Sequence, residues 1–138
     1  MKKLTPYLSF DGQCEAALNF YCDCLNGEIK SLQRYGETPE MQAPDDKKNH
    51  VLHADFAADG FSLMAADSYV PTTPGGQVTL CLEITEADAP DELWAKLTDG
   101  GRVTNPLAPA FWGGRFGEFT DKFGIQWMMI VAKAEETV

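Results

Sequence analysis

The pattern that most constrains the fold is one order of elements that occurs twice along the 138 residues. Alternating apolar and polar residues over 4–10 predict a strand, and apolar residues at helical spacing over 13–25 predict a helix. Three further strands are predicted, one over 28–36 and two that flank the turn Asp59–Gly60. The first half is therefore strand, helix, strand, strand, strand.

Capping residues and loop segments mark where the elements of this half begin and end. Asp11 is expected to cap the first helix, and Asn26 followed by Gly27 is expected to end it in the left-handed conformation. Segment 37–50 has two prolines, many charges and no apolar period, so it is predicted to be a long loop. Segment 68–77 has two prolines and two adjacent glycines, and it is the predicted linker to the second half.

The second half repeats the order. Residues 78–84 predict a strand, and 86–101 predict a short helix that Asp88 caps and whose side chains Leu93 and Leu97 face inward. Asp121 is expected to start a type I turn that Gly124 finishes, between the last two strands. The three remaining strands are predicted over 102–107, 114–120 and 125–131.

Two copies of this order predict an α+β fold of paired βαβββ modules. These would form a curved, mostly antiparallel open-barrel sheet with the helices on its outer face. We expect a single domain over residues 1–138, with modules over 1–70 and 75–138. The apolar sides of the strands would form the core, and their other sides would line a concave cavity.

Acidic residues outnumber basic ones: 21 Asp+Glu against 11 Lys+Arg give a formal net charge of -10 at pH 7. Such a surface repels phosphate backbones and anionic lipids, so neither nucleic acid nor a membrane is expected as a partner. The N-terminal residues contain no apolar run of signal length, and no later segment approaches a membrane span. We expect a cytoplasmic protein whose four cysteines are packing thiols.

Short blocks of aromatic, glycine and acidic residues follow one another along nearly the whole chain. They are Pro6-Tyr7-Leu8, Phe10-Asp11-Gly12, Glu15-Ala16, Phe20-Tyr21, His53-Ala54, Gly100-Gly101, Phe111-Trp112-Gly113, Phe116-Gly117, Asp121-Lys122-Phe123-Gly124 and Trp127. Together they resemble the PhnB-like proteins of the vicinal oxygen chelate superfamily, which includes glyoxalases, bleomycin-resistance proteins and extradiol dioxygenases. The resemblance implies paired βαβββ modules and a homodimer.

The resemblance also implies where a metal would bind. Metal-dependent members hold a divalent cation with His or Glu on the first, fourth, fifth and eighth strands. Matching the blocks puts Thr5, Met64, Thr79 and Met128 at those positions. None of these is a good ligand for a hard or borderline divalent metal. We therefore predict no cofactor and no metal at the usual centre.

A shifted metal centre is the alternative. Strand alternation puts His53, Asp55 and Glu83 on the cavity side of their strands. These three residues could hold a divalent metal in a glyoxalase-type lyase or isomerase, with His53 and Glu83 as catalytic candidates and Glu83 as general base. The same residues could equally form the polar wall of a solvated cavity.

The aromatic segment 111–114 lies in a connection between strands. Rings at a cavity mouth suit flat or apolar ligands, and Arg115 could supply a positive group for an acidic ligand. Trp112 could instead fill a dimer interface or cover the end of the barrel. Alternation assigns Trp127 to the scaffold, under a helix.

We predict a homodimeric protein that binds a small, partly hydrophobic or aromatic molecule without a metal. The ligand-binding residues predicted are Tyr7, Ser9, His53, Thr79, Glu83, Trp112, Arg115, Gln126 and Met128. A role in a protein complex, through the acidic loop from Glu37 to Asp46, is a further alternative. The methyltransferase label that the family sometimes carries has no support in the sequence, because no glycine-rich turn opens a helix after a strand.

Overall fold

The computed structural model describes residues 2–69, 72–73 and 75–133. The chain divides into two compact units, Met1–Thr73 and Pro74–Val138. Each unit has one helix and one four-stranded mixed sheet, in the predicted order of elements. The α+β fold of paired βαβββ modules is therefore confirmed, while the single domain over residues 1–138 stays a prediction.

The first unit has a sheet in which the strand before the helix pairs with the last strand. The sheet order is β1-β4-β3-β2, with β1 parallel to β4 and the other neighbours antiparallel. Its elements are β1 (Tyr7–Phe10), α1 (Cys14–Leu25), β2 (Glu28–Arg34), β3 (Val51–Ala58) and β4 (Phe61–Asp67). The predicted first strand was too long, because Leu4 is exposed and pairing begins at Tyr7.

Helix α1 packs one face on the sheet of its unit. The edge of the Tyr21 ring contacts the Phe56 ring of β3, with centroids 6.5 Å apart. Asn26 ends the helix in the left-handed conformation, with φ 52°, as predicted. The buried residues of the helix recur at its own period and are Cys14, Ala17, Leu18, Tyr21 and Cys24.

The start of α1 differs from the prediction. Gln13, not Asp11, occupies the N-cap position, and its side chain makes no capping hydrogen bond. The backbone N–H of Cys14 instead donates to Oδ1 of Asp67, 2.9 Å away, at the end of β4. A carboxylate distant in sequence therefore satisfies an N–H group at the helix start.

The connection between β2 and β3 is the predicted long loop. It is built from three short 3₁₀ turns, at Tyr35–Glu37, Pro39–Met41 and Asp45–Lys47. The acidic segment from Glu37 to Asp46 is almost entirely exposed. It therefore adds little to the core of the first unit.

The second unit repeats the arrangement. Its sheet order is β5-β8-β7-β6, with β5 parallel to β8. Its elements are β5 (Leu80–Ile84), α2 (Pro90–Thr98), β6 (Arg102–Pro109), β7 (Arg115–Thr120) and β8 (Gln126–Val131). Alternation in β8 is as predicted, because Trp127, Met129 and Val131 are buried and the residues between them are only half-buried.

The cap of α2 was predicted wrongly. Asp88 belongs to a 3₁₀ turn before the helix, where its carboxylate accepts hydrogen bonds from the N–H and hydroxyl of Thr85. Helix α2 starts after Ala89, which has a φ of 53°. Leu97 is fully buried as expected, and Leu93 is half-buried.

An aromatic contact fixes α2 on its sheet. The Trp94 ring packs edge-on against Phe119 of β7, with centroids 5.1 Å apart. Gly117 makes room for this ring, since an added Cβ would lie 2.5 Å from a Trp94 ring atom. The packing of the Trp94 ring therefore requires a glycine at position 117 of β7.

The predicted linker, residues 68–77, lies partly outside the described residues, which omit 70, 71 and 74. In the described part of the chain, neither helix has the length and apolar character needed to cross a bilayer.

Candidate functional site

Each sheet packs its helix on one face, and we call the opposite face the helix-free face. In the first unit, strand pairing puts Tyr7, Met64, Asp55 and Ser31 side by side across this face. Every strand contributes one residue to the row, and each side chain is exposed or half-buried. Ser9 lies on the same face of β1 and is exposed.

Polar side chains on this face form a chain of contacts. Ser31 Oγ donates a hydrogen bond to Asp55 Oδ2 over 2.7 Å. The same oxygen lies 3.4 Å from His53 Nε2, and His53 Nδ1 lies 3.3 Å from the Tyr7 hydroxyl. The predicted site residues Tyr7, His53 and Asp55 are therefore brought together. If Nε2 of His53 carries the proton and faces Asp55, then Nδ1 can accept a hydrogen bond from the Tyr7 hydroxyl.

The second unit carries a corresponding row. Strand pairing aligns Cys81, Met128, Glu118 and Asn105 across its helix-free face. Asn105 Nδ2 donates to Glu118 Oε1 over 3.2 Å, as Ser31 donates to Asp55 in the first unit. Both rows thus contain a methionine beside a carboxylate that a neutral donor orients.

Two predicted residues flank the second row. Glu83 is exposed on β5, and it pairs with Ile130, which pairs in turn with Phe116. Gln126 pairs with Thr120 on the other side of the row, and its Oε1 is buried without a hydrogen-bond partner in the described structure. A buried acceptor without a donor costs free energy unless a ligand or water supplies one.

Sequence reasoning missed Glu118 and Asn105, and it missed Ser31 in the first unit. Alternation in β7 assigns Phe116, Glu118 and Thr120 to one face, which is a usable signal. The partner of each residue, however, depends on strand register. The Asp121 turn, in which the Asp121 N–H donates to the Ile125 carbonyl, fixes the register of β7 with β8, whereas Asn105 pairs with Glu118 across β6 and β7, where the register shifts.

Arg115 lies on the face that packs against α2. It pairs with the buried Val131 in the sheet, and its guanidinium forms hydrogen bonds with both Glu86 and Asp91 at 2.8–3.2 Å. The hydrogen bond from Arg115 lowers the pKa of Asp91. Binding of an acidic ligand by Arg115 stays a prediction, and it would require these ion pairs to break.

The aromatic connection between β6 and β7 projects from the second unit. Phe111 is 98% exposed and Trp112 is 50% exposed. Their rings meet edge-on at 4.9 Å, and Trp112 also meets Phe116 edge-on at 5.8 Å. Because Phe116 belongs to the helix-free face, Trp112 is joined to the edge of that face.

The Tyr7 hydroxyl and the Cys81 thiol both favour their neutral forms. Burial first, and then Cys14 and Asp55, raise the pKa of the Tyr7 hydroxyl. Burial and then Glu83 raise the pKa of the Cys81 thiol. Both side chains therefore stay protonated at neutral pH, and Cys81 is a poor nucleophile.

The residues at the usual metal positions do not fit a divalent cation. Thr5 and Thr79 lie just before β1 and β5. Met64 lies in β4 and Met128 in β8, where they pair with Tyr7 and Cys81. Thioether sulfur is a soft ligand and a hydroxyl is a weak one.

The alternative set of ligands divides between the two units. His53 and Asp55 belong to β3, whereas Glu83 belongs to β5. Within the described residues, no three His, Cys, Asp or Glu side chains are grouped as metal ligands.

Comparison with known proteins identifies a family profile and a relative that each match nearly the whole chain. The profile of a family described as 3-demethylubiquinone-9 3-methyltransferase matches residues 2–130. Protein YjdN of Escherichia coli is 30% identical over 151 aligned positions, which cover 97% of this chain and 98% of that protein.

Solved structures extend the comparison. Protein PA1353 from Pseudomonas aeruginosa is 33% identical, with a TM-score of 0.85 over 96% of this chain and 99% of that one. The PhnB protein from Bacillus cereus is 32% identical, with a TM-score of 0.78 over 95% of this chain and 100% of that one. A glyoxylase/bleomycin resistance protein/dioxygenase domain from Frankia shares the fold at 14% identity, with a TM-score of 0.67 over 99% of this chain and 96% of that one.

Proposed function

The chain belongs to the PhnB-like family of the vicinal oxygen chelate superfamily, and from this premise we propose that it binds a small, partly hydrophobic or aromatic molecule without the usual metal centre. The surface that we expect to contact such a ligand is the helix-free face of the sheet in each unit, taken by itself. The homodimer and the cytoplasmic location predicted from the sequence remain part of this proposal.

The observation that carries the proposal is the pair of matching rows. At the strands from which metal-dependent members bind their cation, this chain presents the thioethers of Met64 and Met128. Polarizable thioethers make favourable contacts with aromatic rings. Each thioether has an oriented carboxylate beside it, Asp55 or Glu118, which can fix the polar end of a ligand.

Aromatic side chains add a second surface for a flat ligand. Tyr7 lies at one end of the first row, with its ring centroid 5.9 Å from that of His53. Trp112 reaches the edge of the second face through Phe116. A flat apolar molecule gains contact area from rings at little cost in side-chain entropy.

The methyltransferase activity in the family description is not part of this proposal. Methyl donors that resemble nucleotides are bound by glycine-rich turns that open a helix after a parallel strand. In the described structure, the turn between β1 and α1 has one glycine, Gly12, and the connection between β5 and α2 has none. No specific observation favours the lyase or isomerase that uses His53, Asp55 and Glu83.

The proposal is tested by measuring metal and ligand together. After incubation with Mn²⁺, Zn²⁺ or Ni²⁺ and desalting, elemental analysis should find far less than one ion per chain. Aromatic compounds found in a thermal-shift screen should bind equally well with and without EDTA. One tightly held ion per chain, lost in Glu83→Gln, would refute the proposal in favour of the metal-dependent enzyme.

The aromatic loop provides a matched pair of variants for the same compounds. Trp112→Ala should weaken their binding about tenfold, because it removes the ring that contacts Phe116. Phe111→Ala, in the same loop but almost fully exposed, should change the affinity less than twofold. Equal affinity in wild type and Trp112→Ala would remove the loop from the site.

A further inference from the structure

The helix-free face of the second unit is rich in hydrogen-bond acceptors. Glu83 and Glu118 contribute carboxylates, and Gln126 contributes a buried amide oxygen. Glu118 and Gln126 are diagonal neighbours on the adjacent strands β7 and β8, at a spacing of about 7–8 Å, whereas Glu83 lies two strands away from Glu118. A single small molecule can therefore reach Glu118 and Gln126 together, with Glu83 at the far side of the same face.

Among the described residues, no lysine or arginine side chain pairs with these carboxylates. Within the described residues, neither Glu83 nor Glu118 forms an ion pair with a lysine or arginine, whereas Glu15, Glu28 and Glu86 each do. Arg102 is the basic residue of this face by register, opposite Thr120 at the sheet edge, and it forms no ion pair with either carboxylate. Asn105 occupies only Oε1 of Glu118.

The orphaned oxygen of Gln126 is independent of the carboxylates. Gln126 Oε1 is the one buried side-chain nitrogen or oxygen of the described residues that lacks a partner. Its neighbours on the face include Met128, which gives the site an apolar floor. The free-energy cost of burying this unpaired oxygen is offset when a ligand donates a hydrogen bond to it.

We propose that this face binds the ammonium group of a small amine, with the apolar or aromatic part of the amine against Met128 and Phe116. The inference rests on the proposed function and names its ligand class. The Glu118 carboxylate and the Gln126 amide oxygen are suited to an N–H donor, while the described residues offer no group of three His, Cys, Asp or Glu side chains for a metal. The net charge of -10 adds long-range attraction for a cation.

The test compares three indoles of nearly equal shape by calorimetry: tryptamine, tryptophol and indole-3-acetate. Tryptamine should bind about tenfold more tightly than neutral tryptophol, and indole-3-acetate should bind most weakly. Equal affinity of all three, or tightest binding of the acid, overturns the amine assignment and leaves the proposed function intact. No binding of any indole at millimolar concentration overturns both.

Two variants locate the ammonium group. Glu118→Gln retains an oxygen for Asn105 and should fold normally, yet it should weaken tryptamine binding about fivefold without affecting tryptophol. Glu92→Gln changes the same charge on the exposed side of α2 and is the matched control, with an expected change below twofold. Equal effects of the two variants would reduce the site to general electrostatic attraction and overturn it.

Gln126→Met gives a readout in the absence of ligand. Removing an unpaired buried oxygen should raise the thermal midpoint of the free protein while weakening tryptamine binding about threefold. A lower midpoint with unchanged binding would show that Gln126 serves the fold alone, and it would overturn its place in the site.

Discussion

The two units share one topology but anchor it with buried carboxylates at different places. In the first unit Asp67, which is 2% exposed, accepts hydrogen bonds from the N–H groups of Cys14 and Val51. In the second unit Asp121, which is 3% exposed, accepts from the N–H groups of Phe123 and Ile125 and from the indole of Trp127. At the position of the second sheet that corresponds to Asp67, the chain has the apolar residue Val131: Asp67 pairs with Phe10, and Val131 pairs with Ile84.

This difference separates a tertiary anchor from a local one. Asp67 joins the end of β4 to the starts of α1 and β3, across 53 and 16 residues. The hydrogen bonds that Asp121 accepts from Phe123, Ile125 and Trp127 span at most six residues along the chain. The first sheet therefore needs its long-range contacts to place the carboxylate, whereas the second forms its anchor with one turn.

The largest effect is expected for Asp67→Ala. The N–H groups of Cys14 and Val51 would lose their acceptor inside the core, where both residues are fully buried and water cannot replace it. We expect the free energy of unfolding to fall by about 3 kcal/mol in urea titrations. Asp23→Ala, on the exposed side of α1, should change it by less than about 0.5 kcal/mol. A loss below about 1 kcal/mol for Asp67→Ala would contradict the tertiary anchor.

A smaller loss is expected for Asp121→Ala, about 2 kcal/mol by the same measurement. The backbone groups of Phe123 and Ile125 lie in a half-buried turn, so water can replace part of the carboxylate. Trp127→Phe is the matched control, because it retains the ring and removes only the indole donor, at about 1 kcal/mol. If Asp121→Ala proved more costly than Asp67→Ala, the proposed order of the two anchors would be wrong.

The contrast between the anchors also explains what could be predicted from the sequence. The Asp121–Gly124 turn is local, and its i to i+3 hydrogen bond follows from residue types alone. Asp67 acts across the fold, so the sequence pointed to the nearest acid, Asp11, as the cap of α1. The sequence likewise pointed to Asp88 as the cap of α2. Ala89, whose φ is 53°, occupies the N-cap position instead and separates Asp88 from the helix.

For the candidate site, the sequence predicted the sheet face on which several residues lie, but not the residues that they contact. Alternation correctly assigned Tyr7, His53 and Glu83 to the faces opposite the helices. The contacts Ser31 to Asp55 and Asn105 to Glu118 depend on register, and the β2–β3 and β6–β7 pairings each contain irregularities that alternation does not reveal. Arg115 was expected at the ligand, but it alternates with Phe116 along β7 and lies opposite the buried Val131, on the face that packs against α2.

The smallest expected effect concerns the arginine that ties each helix to its unit. Arg34 binds Glu15 of α1 at 2.8 Å, and Arg115 binds Asp91 of α2 at 2.8 Å. The hydrogen bonds from these arginines lower the pKa values of Glu15 and Asp91. A carboxylate with a lowered folded pKa contributes stability above its unfolded pKa, about 4.3 for Glu and 3.9 for Asp, and loses it as pH falls through the folded value.

Arg34→Met and Arg115→Met should therefore lower the urea midpoint slightly at pH 7 and not at about pH 3, where the carboxylates in wild type approach protonation. The effects should remain small, because all the carboxylates involved are largely exposed and exposed pairs are screened by solvent. Both effects should be reduced in 1 M NaCl. A midpoint difference that grows as pH falls would have the opposite sign from this linkage, and it would mean that the arginines act through packing of their stems.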